Sequence, residues 1–210
     1  MVRDMLQYKR LYWQKGSIRK CDFTGLSIDD QIQLMNATVK SIWNGPVFYD
    51  LQFIKKLLQD LEADQVYEEW YTLYSGMLLN GDDASCIFRH YCSPDQTIEE
   101  PCISIMENTE SIIMGQTGFR TWGASLEAVN YFSNVNLFKN VDLKIGELGA
   151  GCGLLGLFMK FLGAQKVVMS DVQELVDRLK ENVFRNSNLD VDVIVLNWET
   201  FTDLPQEFLE

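Results

Sequence analysis

The sequence is poor in the residues that build metal centres, disulfide frameworks and nucleic-acid surfaces. It holds a single histidine, His90, and five cysteines, Cys21, Cys86, Cys92, Cys102 and Cys152, none in C-x-x-C spacing. An odd number of scattered thiols argues against a disulfide framework and a paired-thiolate zinc site, so the cysteines are expected to be reduced. His90 lies two residues before Cys92, but no further ligands follow at regular spacing. It is therefore expected to be a polar loop residue, and no metal is expected. Basic residues are also in deficit, 18 against 30 acidic ones, for a formal net charge of -12. Phosphate recognition needs clustered Lys and Arg, which this balance does not supply, so nucleic acid is excluded as a partner. The densest basic group, Lys9, Arg10, Lys15, Arg19 and Lys20, accompanies Tyr12 and Trp13 and is expected to form one solvated face of a helix. No run of eighteen apolar residues is present, and Met1-Val2-Arg3-Asp4-Met5 lacks the basic flank, apolar stretch and cleavage site of a signal peptide. The expectation is a cytoplasmic protein without membrane contact.

What is present suffices for a core: 47% hydrophobic and 12% aromatic residues over 210 positions, a length that allows one domain with an appendage or two small ones. From about Ile28 to Leu79 apolar residues recur at helical spacing, as in Phe48, Leu51, Ile54, Leu58 and Leu61, then Trp70, Leu73, Tyr74 and Met77. Gly45-Pro46 and Asn80-Gly81-Asp82-Asp83 punctuate this run, which predicts a module of two or three helices. The period then changes. Ile103 and Ile105 alternate with polar residues and Ser111-Ile112-Ile113 follows, with Glu107-Asn108-Thr109 as the expected turn of a short β pair. A helix is predicted from Trp122 to about Phe132, burying Leu126, Val129 and Phe132 or Tyr131.

From Val141 onward strand and helix alternate: a strand over Val141 to Leu148, a helix over Leu154 to Leu162, a strand over Lys166 to Ser170, a helix from Val172 to Asn186 and a strand through Val191, Val193 and Val195. This order implies parallel strands joined by right-handed crossovers, an α/β, Rossmann-like doubly wound sheet of which only the first three strands can be assigned.

Where the first of these strands turns into a helix stands Glu147-Leu148-Gly149-Ala150-Gly151-Cys152-Gly153-Leu154-Leu155-Gly156. Glycines at such a turn adopt backbone angles closed to other residues and let a ligand approach the main chain. The spacing Gly151-x-Gly153-x-x-Gly156 also satisfies a dinucleotide fingerprint. Glu147 separates the two: a carboxylate beside the loop repels a pyrophosphate and attracts a ligand with ammonium and sulfonium groups, as in S-adenosylmethionine. Asp171, at the end of the next strand and twenty residues after Gly151, suits ribose hydroxyls in either cofactor class and equally suits a helix N-cap. Trp198 follows the third strand at the edge of the crevice, where an indole face suits an adenine.

Together these residues resemble the seven-β-strand class I methyltransferases, and within them the protein-lysine methyltransferases that act on translation elongation factor two. The matching stretch runs from about Cys102 to Trp198, and Gly118-Phe119-Arg120-Thr121-Trp122-Gly123-Ala124-Ser125-Leu126 is its most diagnostic segment. The resemblance implies a helical N-terminal module over 1–95 and a methyltransferase domain over 96–210. It implies S-adenosylmethionine as cofactor, with Trp122, Gly149, Ala150, Gly151 and Trp198 in contact with it and Asp171 on the ribose; Glu147 joins this cofactor-binding set on the charge argument above. A lysine of elongation factor two is then the attacking amine, and no residue is assigned as catalytic. Such enzymes carry an acidic-x-x-Tyr segment after a fourth strand. The chain reaches Glu210 without one, so the expectation is a C-terminally shortened form that is inactive alone. A dinucleotide-binding oxidoreductase and a non-catalytic interaction protein stay open as alternatives.

Overall fold

The computed structural model describes residues 4–41, 46–79, 86–92, 101–110, 112–113, 115–135 and 142–200. The chain divides into two compact units, one of Met1–Cys92 with Thr97–Pro101 and the other of Ser93–Gln96 with Cys102–Glu210.

The first unit is built from α1 (Met5–Trp13), α2 (Ile28–Ala37), α3 (Val47–Asp60), α4 (Glu69–Leu79) and the strand β1 (Cys86–Tyr91). Pro46, predicted to punctuate the helical run, is the N-cap of α3, whereas Gly45 and residues 80–83 lie outside the described residues. An aromatic chain forms its core. Tyr8 packs on Phe23, Phe23 on Phe53 and Phe53 on Tyr12, with ring centroids 4.9, 5.2 and 4.8 Å apart, and Leu34, Ile54, Leu57 and Trp70 are wholly buried around it. Ser27 opens α2 with a capping box, its hydroxyl accepting from Asp30 N while Asp30 accepts from Ser27 N. The side chain of Gln31 is a buried clasp, donating to the Leu26 and Gln65 carbonyls and accepting from Tyr67 N.

Two expectations fail in this unit for the same reason. Lys15, expected on a solvated helix face, is only 9% exposed. It follows the end of α1 with φ of 50°, and its ammonium donates to the Tyr12 carbonyl and lies 4.2 Å from the Tyr12 ring centroid. Burial pushes its pKa down to about 7 against the opposing pull of Asp50, with Arg89 lowering it further. His90 is a buried residue of β1 and not a loop residue; burial, with the Lys15 charge adding to it, holds its pKa near 3, so it is neutral. For Lys15 the aromatic core recruits the long apolar stem of a charged side chain, and His90 stacks on Phe88 along the same strand, with ring centroids 6.4 Å apart.

The second unit contains β2 (Ile103–Asn108), α5 (Gly123–Asn134), β3 (Lys144–Leu148), α6 (Leu154–Phe161), β4 (Lys166–Asp171), α7 (Gln173–Arg185) and β5 (Asp192–Val195). The last three strands form a parallel sheet in the order β3-β4-β5, with Lys144 opposite Lys166 and Val168 opposite Asp192. The mixed α/β fold and the parallel strands are as expected. Among the described residues β4 is central, and its run Val167-Val168-Met169-Ser170 is buried throughout, as a strand covered on both faces must be. Val141 lies outside the described residues, and the first strand begins at Lys144.

Ile103 and Ile105 lie on a strand, β2, as expected, but among the described residues it does not turn at Glu107-Asn108-Thr109. β2 runs through Glu107, which is fully buried, and ends at Asn108. The reversal comes later, where Ile113 bridges Gln116 across Gly115 at φ of 78°; Ser111 is not described. α5 buries Val129 but leaves Leu126 and Tyr131 exposed. Asp171 does not cap α7, since Val172 takes that position.

α7 presents Leu175, Val176, Leu179 and Asn182 to the interior, a helical stripe that ends in a polar residue. Asn182 and Asn186 lie one turn apart and treat β2 as a neighbouring strand would. Asn182 accepts from Met106 N and donates to Met106 O, and Asn186 accepts from Ser104 N and donates to Ser104 O. Alternate residues of a strand match i and i+4 of a helix here, so two amide side chains satisfy the strand's main chain. Asn182 also donates to the Cys152 carbonyl at 2.9 Å. Asn182→Ala leaves three buried main-chain groups without partners, and a loss of about 2–4 kcal/mol in urea unfolding is expected; a loss below about 0.5 kcal/mol contradicts this role.

Candidate functional site

The site grows from the end of β3. Gly149 and Gly151 both adopt left-handed backbone angles, φ of 69° and 56°, and each is closely approached. A Cβ on Gly149 would stand 2.6 Å from the Trp198 ring, and one on Gly151 would stand 3.1 Å from the Gly118 carbonyl. The turn is fixed by its own amides. Ala150 N donates to the Ser170 carbonyl at 2.9 Å, Gly153 N to the Ala150 carbonyl at 2.8 Å, and Gly151 N to Asp171 Oδ2 at 2.7 Å. The other oxygen of Asp171 accepts from Val172 N at 2.7 Å. Asp171 thus ties the end of β4 to the glycine turn, and each carboxylate oxygen has a second lone pair that can accept from a further donor.

Against the turn lies the loop between β2 and α5. Asn108 N donates to the Phe119 carbonyl at 2.8 Å, Cys152 Sγ to the Gly118 carbonyl at 3.2 Å, and Trp122 Nε1 to the Thr117 carbonyl at 3.1 Å. The Cys152 thiol is pushed up to about 12, by burial first and then by the nearby Glu107 and Asp171 charges. It is a hydrogen-bonding latch and not a nucleophile.

Between loop and turn opens a hollow of about 480 Å³ lined by Trp122, Gly149, Ala150, Gly151, Asp171 and Trp198, together with Thr117, Arg120 and Ser125. This volume is in the usual range for small-molecule sites. Six of the seven site residues singled out in the sequence meet here. Trp122 and Trp198 leave much of their indole surface to solvent, at 60% and 61% exposure.

Glu147 is the seventh, and the structure places its carboxylate elsewhere. It does not line the hollow; Oε2 accepts from Gly156 N in the first turn of α6 at 2.9 Å. The side chain borders a separate apolar depression with Phe132, Ile145, Leu148 and Met159. The Gly156 N–H holds the carboxylate on the α6 side of the turn, away from the hollow. Burial pushes its pKa up to about 7, opposed by the Gly156 hydrogen bond and reinforced by the Asp171 charge. Sequence reasoning missed the part of the loop before Trp122, although its Arg120 stands in the segment that carried the resemblance.

A family model described as lysine methyltransferase matches residues 98–210, more than half of the chain. The chain belongs to the lysine methyltransferase family. Its fold is that of the class I S-adenosylmethionine enzymes, and the family implies this donor. The glycine cradle, the ribose-type carboxylate and the paired indoles of the hollow fit an adenosyl amino acid. Among relatives, the chain is 34% identical to protein-lysine N-methyltransferase EFM3 of Chaetomium thermophilum over 136 residues, covering 63% of this chain and 36% of that protein. It is 32% identical to protein-lysine N-methyltransferase EFM2 of Saccharomyces cerevisiae over 127 residues, 51% of this chain and 29% of the other. It is 28% identical to protein-lysine N-methyltransferase EEF2KMT of Mus musculus over 183 residues, 83% of this chain and 52% of the other. The chain spans about a third to a half of the length of these relatives. No helix among the described residues is long and apolar enough to cross a membrane, and no group of three or more His, Cys, Asp and Glu that could hold a metal ion occurs among them.

The raised pKa of Glu147 fixes a pH dependence. Its carboxyl binds a proton more tightly in the folded protein than at the ordinary 4.5, so its contribution to stability is complete below about pH 4.5 and is lost as pH rises through about 7. Glu147→Gln keeps an acceptor for Gly156 N without the charge. Urea unfolding from pH 4.5 to 8 is expected to show the variant gaining on the wild type as pH rises; a constant difference contradicts the buried, titrating carboxyl.

Proposed function

We propose that the chain forms the donor-binding part of a cytoplasmic protein-lysine N-methyltransferase that modifies translation elongation factor two. Residues 96–210 act as the methyltransferase domain and 1–95 as a helical module that accompanies it. The observation that carries this reading is the hollow in which Asp171, Trp122, Trp198 and the Gly149-Ala150-Gly151 turn converge. Asp171 accepts the ribose hydroxyls, Trp198 covers the adenine and Trp122 borders the methionine end, while the glycine turn gives the main chain its close approach.

S-adenosylmethionine supplies the electrophilic methyl group when bound. The residues of this chain orient it and screen it from water, and the incoming lysine must arrive deprotonated and in line with the carbon–sulfur bond. Glu147 supports the turn through Gly156 N instead of touching the donor. The substrate rests on relatives whose printed names are those of protein-lysine N-methyltransferases, EEF2KMT among them.

The test is transfer of labelled methyl from S-adenosylmethionine to purified elongation factor two, with elongation factor 1A as control, by the longest natural protein that contains these residues. Label on a lysine of elongation factor two alone is expected, reduced at least about tenfold in Asp171→Ala, which loses charged hydrogen bonds. Label on the control alone, or on neither protein, overturns the substrate assignment.

A further inference from the structure

The hollow's electrostatics go one step beyond the class of cofactor, on the reading proposed above. An adenosyl amino acid brings an α-carboxylate into the site, and a buried anion needs donors or a cation. Glycine turns at helix N-termini commonly meet that need with main-chain amides. Here Ala150 N, Gly151 N and Gly153 N are already bonded within the turn and to Asp171, and Gly156 N is bonded to Glu147. The turn therefore offers close approach but withholds these four amides.

Among the described residues, the charged side chains that line the hollow are Asp171 and Arg120. Asp171 stands at the end of β4 and projects toward the ribose position. Arg120 comes from the opposite wall, half-buried in the loop before α5, and also lines an adjoining depression with Thr117, Thr121 and Trp122. The loop just before it is held at two carbonyls, Phe119 O by Asn108 N and Gly118 O by Cys152 Sγ, and the Trp122 indole two residues on donates to Thr117 O. A pinned backbone lowers the entropy of presenting a long side chain, and a guanidinium matches a carboxylate with a two-pronged pair.

We propose that Arg120 is the residue that selects the amino-acid end of the donor, pairing with its α-carboxylate across the hollow from Asp171. The chemistry recognised is an α-amino carboxylate joined to a nucleoside, and the selection acts against nucleosides that lack the carboxylate.

The experiment is calorimetric titration of the longest natural protein that contains these residues, with S-adenosylhomocysteine, which has the carboxylate, and 5′-methylthioadenosine, which lacks the whole amino-acid end. Arg120→Ala is expected to weaken S-adenosylhomocysteine by roughly ten- to a hundredfold, the worth of a charged hydrogen-bonded pair, and to leave 5′-methylthioadenosine within about twofold. Arg120→Lys, a point charge on a flexible stem, is expected to restore part of the loss. Unchanged S-adenosylhomocysteine affinity in Arg120→Ala, or equal weakening of both ligands, overturns the role of Arg120 while leaving the cofactor site in place. A wild-type protein that takes up neither ligand overturns the site reading itself, because 5′-methylthioadenosine needs only Asp171, Trp198 and the glycine turn.

Discussion

The hydrogen bond from Gly151 N to Asp171 Oδ2 is the constraint on which the site depends. It joins the turn after β3 to the end of β4, and with Ala150 N on the Ser170 carbonyl it holds left-handed Gly149 against Trp198 and left-handed Gly151 against the Gly118 carbonyl. The other supports act on the same few residues. Asn182 on α7 holds the Cys152 carbonyl, Cys152 Sγ holds the loop at Gly118, and Glu147 holds the first turn of α6 through Gly156 N. Each is a side chain that satisfies a main-chain group close to the hollow, so the shape of the site is set by elements that need not touch a ligand.

This arrangement separates the site from a phosphate cradle. A dinucleotide fold leaves turn amides pointing at the pyrophosphate, whereas here three turn amides and the Gly156 amide of α6 are committed internally and two carboxylates, Asp171 and Glu147, stand around the turn. Only the first faces the hollow. The part of Glu147 is mechanical and electrostatic support: its burial makes it easily neutralised, which eases the repulsion it would otherwise exert on Asp171. Membership of the lysine methyltransferase family agrees with a site shaped for a donor without phosphate.

The sheet and its glycine turn were legible because local signals and tertiary demands agree there. Val167-Val168-Met169 reads as a buried parallel strand and is one, and Leu175, Val176 and Leu179 form the stripe their spacing predicts. Elsewhere a partner distant in sequence decided the outcome. Glu107, Asn108 and Thr109 have turn chemistry, yet β2 runs through Glu107 because α7 supplies Asn182 and Asn186 to its main chain. Lys15 and His90 look solvated by type, yet both are buried, Lys15 against the Tyr12 ring of the aromatic core. For Glu147 the residue type pointed to the right neighbourhood, but the amide of Gly156, nine residues on, holds its side chain away from the hollow. Arg120 stood in plain view; only the geometry of the loop over the turn revealed that it lines the hollow.

The most direct measurement is competition between S-adenosylhomocysteine and NADH for the longest natural protein that contains these residues. Amides committed within the turn and a carboxylate at its rim predict that S-adenosylhomocysteine is taken up and that excess NADH does not displace it. Displacement by NADH would show a turn that still welcomes a pyrophosphate, contrary to the hydrogen bonding on which this account rests.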